Sequence, residues 1–249
     1  MEELIKPFKA DLHVHTVLSP CAEVEMIPPL IVEYALDLGI NLIAITDHNA
    51  SANIESVQKA AEESPLHVLP GMELQTREEV HSLCLFDRLD QIQALQEIVY
   101  KTLPPFKNQP DHFGEQFVVD ETGDFIRREE QLLLVSSSLS INEAWKIVTN
   151  LGGLFIPAHV NRKAFGLLES LGLVPTDVPI EALEISKHIS PQDAPVAFPQ
   201  IKGYPLIQDG DVHRLDEFNS SMVLYLQAPT IAEIRLALSE QLGRKIAFA

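Results

Sequence analysis

The run Asp11-Leu-His13-Val-His15 is the sharpest chemical feature of this chain. Side chains two apart on a β-strand share a face, so two imidazoles at this spacing can grip one ion. A lone His-x-His is just as readily a polar strand end. Similar fragments follow, however: Thr46-Asp47-His48, Pro70-Gly-Met-Glu73, His81, Ala158-His159 and Asp211-Val-His213. Taken singly, His81 and His159 read as structural histidines and Glu73 as a solvated charge. Taken together they bring imidazole and carboxylate to successive predicted strand ends, where a parallel barrel builds its site. That is the donor set of a mixed nitrogen and oxygen metal centre. It suits Zn, Mn or Fe better than Mg or Ca, which prefer all-oxygen shells.

The elements that must position these residues alternate between short apolar strand-like runs and amphipathic helical runs, the pattern of parallel β/α architecture. Strands are predicted at 10–15, 41–46, 67–74, 80–86, 154–157, 182–185, 206–208 and 222–226. Pro28 and Pro29 open a helix that places Leu30, Ile31, Tyr34, Ala35 and Leu38 on one face, and Gly39 ends it. A second helix is predicted over 53–63. Leu89, Ile92, Leu95 and Val99 mark a third before Pro104 and Pro105 stop it. Ser140 with Glu143, and Thr230 with Glu233, read as capping boxes for two more helices. Residues 104–135 break the rhythm: Phe117-Val-Val and Phe125-Ile flank Asp-Glu-Thr-Gly, a predicted β-hairpin inserted in the main body or laid over it.

Composition narrows the classes. The chain has 249 residues, 46% apolar and 22% charged, ordinary globular usage that suits a single domain. Apolar runs such as Gly39 to Thr46 stop far short of the ~20 residues a membrane span needs, and the opening MEELIKPFKA does not read as a signal peptide. The expectation is a cytoplasmic protein with no membrane association. Cysteine occurs only at Cys21 and Cys84, which excludes a four-cysteine zinc site and fits a reducing compartment. Lys and Arg total 18 against 36 Asp and Glu, a formal charge of −18, so long nucleic acid is disfavoured as a partner. Bound cations would still let an acidic protein hold a small anionic substrate.

With these motifs in place, the chain resembles the PHP family, named for polymerase and histidinol phosphatase domains, and in particular its compact stand-alone phosphoesterases. The resemblance rests on DLHVHT at 11–16, GINLIAITDHN at 39–49, PGMEL at 70–74, EEVHSL at 78–83, IPAHV at 156–160 and DVHRL at 211–215. It implies an α/β fold, an irregular seven-stranded, TIM-like β/α barrel, as one domain over 1–249 with an inserted segment at about 104–135. It implies two or three divalent ions. His13, His15, Glu73 and Asp211 would surround one ion, and a bridging Glu73 with His81 and His159 a second. His48 and His213 would belong to a third, with Asp47 orienting a neighbouring ligand. The implied activity is hydrolysis of a small phosphate ester by a metal-activated water, with Asp211 or His213 passing a proton to the leaving group.

Two departures from the family pattern stand out. Where relatives place an aspartate or histidine after the His-x-His pair, this chain reads Leu18-Ser19-Pro20-Cys21. Pro20 cannot coordinate, and Cys21 is the possible third-site ligand, or else a small cysteine beside a turn. Asp209-Gly210 precedes Asp211 where relatives more often carry serine. Arg162, Lys163 and Arg214 are the candidate cations for a substrate phosphate. Alternative expectations are a PHP-type nuclease on short oligonucleotides, an amidohydrolase-like carbon–nitrogen hydrolase, and a metal-binding module without catalysis. Natural substrate and oligomeric state are not readable at this level.

Overall fold

A computed structural model describes residues 4–248. The order of elements is β1 (Lys6–Val14), α1 (Pro28–Asp37), β2 (Leu42–Ile45), α2 (Ile54–Ala60), β3 (His67–Gln75), β4 (His81–Leu85), α3 (Leu89–Thr102), α4 (Pro110–Phe113), β5 (Phe117–Val119), β6 (Phe125–Arg128), α5 (Ile141–Asn150), β7 (Leu154–Pro157), α6 (Leu167–Leu171), β8 (Leu183–Ile185), α7 (Ala194–Ala197), β9 (Leu206–Gln208), β10 (Met222–Leu226), α8 (Ile231–Leu238) and β11 (Lys245–Phe248). The fold is α/β.

Seven strands form one curled mixed sheet in the order β11-β10-β1-β2-β3-β4-β7. β1, β2 and β3 run parallel, whereas β4 is antiparallel to both β3 and β7, and β10 is antiparallel to β1 and β11. β8 and β9 are a separate parallel pair. They are tied to the main sheet at single points: Val160 N donates to Glu184 O at 2.8 Å and His15 N to Val212 O at 2.9 Å. The seven-stranded sheet is thus a half-barrel, consistent with the irregular TIM-like barrel that the resemblance implies, with β8 and β9 as a separate pair. Periodicity reveals a strand but not its partner, and so missed that β1 starts at Lys6 by pairing with the distant β10.

Both faces of the sheet are covered, which is why its strands read as continuous apolar runs. Ile43 and Ile45 join the cluster that contains Ile31 of α1, Val57 of α2, Ile92 of α3 and Ala144 of α5. Leu42 and Ala44, pointing the other way, join Leu12, Leu83, Ile156 and the α8 residues Ile231 and Ile234. The buried face of α1 is Pro28, Ile31, Val32 and Ala35. Tyr34, expected inside, is exposed because the helix turns its 28/31/35 row to the sheet. Gly39 ends α1 with φ +70°, a left-handed conformation that glycine adopts without a Cβ penalty.

The Ser140 cap is complete: its hydroxyl accepts from Glu143 N, and Ser140 N donates to Glu143 Oε2 at 2.9 Å. At Thr230 only half forms. Glu233 turns instead to Gln227 N (2.8 Å) and Arg244 (2.9 and 3.0 Å), so a tertiary ion pair displaces the local motif. β5 and β6 pair as an antiparallel hairpin. It lies on the β1–α1 loop, with Phe117 N donating to Val17 O at 2.9 Å, and β6 is fully exposed. Among the described residues no helix is long and apolar enough to cross a membrane.

Candidate metal centre

The curl of the sheet sets one edge of it at the floor of a cavity of about 930 Å³. His13 lies within β1 and His15 just beyond it; His48 follows β2, Glu73 lies within β3, and His159 follows β7. His81 is the first residue of its strand rather than the last. Because β4 runs against β3, its beginning meets the end of β3, and Gln75 faces His81 in the register. Asp211 and His213 arrive from the loop after β9. Asp211 and His159 hold positive φ, +50° and +29°, conformations that bulky residues seldom adopt outside functional sites. Gly210 is required by close approach, since a Cβ there would stand 2.7 Å from Asp11 Oδ2 and 2.6 Å from Glu217 O.

Ligand atoms of His13, His15, Glu73 and Asp211 lie within 4.8 Å of one another. Two atoms about 2.1 Å from a shared ion at the tetrahedral angle stand about 3.4 Å apart. Here His13 Nε2 is 3.3 Å from Glu73 Oε1 and 3.4 Å from Asp211 Oδ1, and His15 Nε2 is 3.4 Å from Glu73 Oε2 and 3.5 Å from Asp211 Oδ1. His13 Nε2, His15 Nε2 and Asp211 Oδ1 are buried with no hydrogen-bond partner in the protein. Buried polar atoms are ordinarily paired, so these orphaned atoms, gathered about the Glu73 carboxylate at near-tetrahedral spacings, fit a cation.

A second group is His48, Glu73 and His81, and a third is His15, His48 and His213. Glu73 Oε2 is 2.8 Å from His48 Nδ1, and its Oε1 is 2.8 Å from His81 Nδ1. His159 Nε2 also reaches Glu73 Oε1, at 3.0 Å, but falls outside the compact second group, whose other imidazole is His48. In these groupings His48 belongs to the second and third, and His15 to the first and third. Cys21 sits at the mouth, solvent-accessible yet closely surrounded. Burial opposes its ionisation, but His48 and His213 outweigh this and bring its pKa down to about 6.

The electrostatics follow from crowding charges out of water. Burial disfavours a charged His13, but Glu184, Glu73 and Asp211 outweigh it and raise the pKa well above the usual value. Burial also works against ionised Glu73, yet His81, His13 and His48 hold it well below the carboxylate range. Burial and the neighbouring His213 keep His15 neutral. Burial alone dominates at His81, whose pKa drops to about 4.

Buried polar residues support the cluster, and two of them, Glu184 and Ser19, were given no role by their sequence. Glu184, in β8, is buried and accepts from His13 Nδ1 through both oxygens (3.0 and 3.1 Å) and from His159 N (2.7 Å). It therefore fixes the ring that presents Nε2 to the centre. No local motif flags a glutamate inside a short apolar strand. Ser19 accepts from His15 Nδ1 at 2.9 Å and donates to Asp47 Oδ1 at 2.7 Å, and Asp47 also receives Thr16 N and Oγ. Asp47 thus acts on His15 through Ser19. Asp209, buried, accepts from Leu12 N at 2.6 Å, and Asp11 accepts from Gly210 N, His13 N and Asn219 N. Burial pushes the Asp11 pKa up to about 7.

The candidate phosphate cations separate. Arg162 lines the cavity but is paired with Asp211. Arg214 lines it with looser ion pairs, 3.6 Å to Glu23 and to Asp216. Lys163 is exposed and does not line the cavity. Lys187 and His188, not anticipated, do line it.

An α/β half-barrel with a carboxylate shared among buried imidazoles is the plan of a metal-dependent hydrolase. The PHP domain profile matches residues 11–160, more than half of the chain, and the chain belongs to the PHP family. No curated protein sequence matches it. Solved structures with the same fold include endonuclease Q from Pyrococcus furiosus, 19% identical with a TM-score of 0.73 over 97% of this chain. The chain spans 58% of that protein's length. A second structure holds endonuclease Q with a 27-mer duplex carrying an abasic lesion at the active site, at 18% identity, a TM-score of 0.73, and coverage of 96% of this chain and 58% of that one. A protein of Bifidobacterium adolescentis named as a metal-dependent phosphoesterase matches at 18% identity and a TM-score of 0.57, covering 82% of this chain and 87% of its own. A protein of this fold is thus found with a DNA duplex at its active site. Binding answers to the local field at a site, which cations and rim residues such as Lys187 and Arg214 can reverse.

Proposed function

We infer that the protein is a metal-dependent phosphoesterase that hydrolyses a small phosphate ester, a phosphomonoester or a nucleotide, with two or three zinc, manganese or iron ions. The observation that carries this reading is the orphaned set of His13 Nε2, His15 Nε2 and Asp211 Oδ1, which stand with the Glu73 carboxylate at the spacing of ligands on one ion. Divalent cations held there supply Lewis acidity, lowering the pKa of water and offsetting charge on phosphate oxygens. The chain's own residues do the positioning. Glu73 belongs to two ligand groups, Glu184 holds His13, and Asp47 holds His15 through Ser19. Asp211 or His213 passes a proton to the leaving oxygen; His213 is partly exposed and stacks on His15 with ring centroids 4.0 Å apart. Arg214 and Lys187 meet the phosphate from the rim, and Cys21 joins His48 and His213 as a third-site donor. Arg162 contributes only by releasing Asp211.

A second reading, cleavage of a phosphodiester in a nucleic acid strand, is favoured by the likeness to endonuclease Q. Assay of the metal-reconstituted protein on phosphomonoesters, oligonucleotides and amides, beside Glu73→Ala and His13→Ala, tests both. Each variant is expected to lose at least a hundredfold in kcat/KM on the preferred ester. Unchanged activity in both variants removes this site from consideration, and turnover of amides alone replaces the phosphoesterase reading with carbon–nitrogen hydrolysis.

A further inference from the structure

One wall of the cavity carries a feature that metal chemistry does not explain. Phe165, in the loop after β7, is 42% exposed and holds φ +57°. A bulky side chain in the left-handed region is a strained arrangement that persists where the surroundings impose it, and such outliers concentrate at functional sites. The loop is fixed at both ends. Phe165 O accepts from His81 N at 3.0 Å, and Gly166 lies so close to Arg162 that a Cβ would stand 2.2 Å from the Arg162 carbonyl oxygen. The phenyl ring lies parallel to the His81 imidazole, centroids 4.5 Å apart and planes 1° from parallel. One face is therefore covered by a member of the metal centre, and the exposure belongs to the other face and the edge.

The cavity around Phe165 is lined by amide, hydroxyl and apolar groups together with the charged Glu79 and Arg162. Gln75 faces His81 across β3 and β4, and its amide donates to Ser136 Oγ at 3.0 Å. Gln75, Ser136 and the apolar Val135 line the same cavity as Phe165. Lys187 and Arg214 come from the segments after β8 and β9, and Arg162, on the Phe165 loop, is engaged by Asp211. Simple shielding of His81 would be met by any buried apolar residue of ordinary backbone conformation.

We propose that Phe165, with Gln75 and Ser136 at its edge, forms a subsite that stacks the nucleobase of a nucleotide whose phosphate lies on the metal centre. This rests on the phosphoesterase reading and narrows it to substrates bearing a planar heteroaromatic ring. The base is taken from a free nucleotide or from one unstacked in a short strand, since aromatic stacking tolerates either. A cavity of about 930 Å³ is large enough for a nucleotide.

The test uses the manganese-loaded full chain with 2-aminopurine riboside 5′-monophosphate and a short oligonucleotide carrying 2-aminopurine, since stacking quenches this fluorophore whether or not turnover follows. Saturable quenching is expected for the wild type and Phe165→Tyr, with a Kd at least about tenfold weaker in Phe165→Leu. The ratio of kcat/KM for adenosine monophosphate over glycerol phosphate should fall by the same factor in Phe165→Leu, carried by KM. Which of the two fluorescent ligands binds tighter identifies the source of the base. No quenching in the wild type, or equal quenching in a folded Phe165→Leu, overturns the subsite. Phosphate-ester turnover with no preference for nucleotides overturns it while leaving the phosphoesterase reading intact. Phe165-dependent quenching without turnover of any ester keeps the subsite and removes the phosphoesterase reading.

Discussion

Replacing Glu184 by glutamine tests whether the centre depends on a residue that never touches an ion. Its two oxygens accept from His13 Nδ1 at 3.0 and 3.1 Å, and Oε2 also accepts from His159 N at 2.7 Å, all out of contact with water. Glutamine keeps the shape but has one acceptor oxygen. Whichever donor it serves, its amide N–H₂ opposes the other, and the carboxylate charge that favours a polarised His13 ring is lost. A hydrogen bond to a charged group contributes about 1.5–3 kcal/mol, and leaving a buried donor unpaired costs about 1–3 kcal/mol. A loss of roughly 1.4–2.7 kcal/mol in cation binding, 10- to 100-fold in affinity, is therefore expected. Isothermal titration of the chelator-stripped protein with zinc against a competing chelator measures it, with circular dichroism confirming the fold. In the metal-free protein the His13 pKa, held up chiefly by Glu184 against burial, should fall toward neutrality by NMR titration. A zinc affinity within twofold of the wild type, in a folded variant, would refute the argument that Glu184 sets the His13 ring.

Cation affinity should weaken as pH falls from 8 to 6, because His13, with its pKa raised against burial by Glu184, Glu73 and Asp211, must release a proton to ligate. About one decade per pH unit is expected for each proton displaced, and a flat profile by chelator competition would contradict it. In the metal-free protein Cys21 should react with iodoacetamide with a midpoint near pH 6, while Cys84, whose thiol is pushed up by burial, reacts only after unfolding. Mass mapping of the adducts decides this, a midpoint near 8.5 at Cys21 being the contrary result, and added zinc should protect Cys21. Thr230→Ala removes the hydroxyl that caps α8 and should destabilise the protein by about 1 kcal/mol, lowering Tm by about 2–4 °C. No shift in a thermal melt would mean that the Arg244–Glu233 pair already holds that end.

The composition of the metal centre is legible before folding. Asp11-Leu-His13-Val-His15 carries its own geometry, since alternate residues of a strand share a face, and each remaining fragment ends or begins an apolar run. Helix ends were equally local: Gly39 and the Ser140–Glu143 pair act through their immediate neighbours. Thr230–Glu233 is the exception that shows the limit, because Arg244 draws Glu233 away.

What tertiary structure alone decided are the relations between residues remote in the chain. The reversal of β4 brings the start of one strand, His81, to the end of its neighbour, and the separation of β8 and β9 leaves the sheet a half-barrel. Which imidazoles cluster together, the buried support from Glu184 and Ser19, the attachment of Arg162 to Asp211 and the stacking of Phe165 on His81 all depend on distances that no spacing encodes. The physical reason is range. Periodicity and capping arise from forces within a few residues, whereas coordination, charge pairing and strand partnership are settled only when burial brings distant segments into contact.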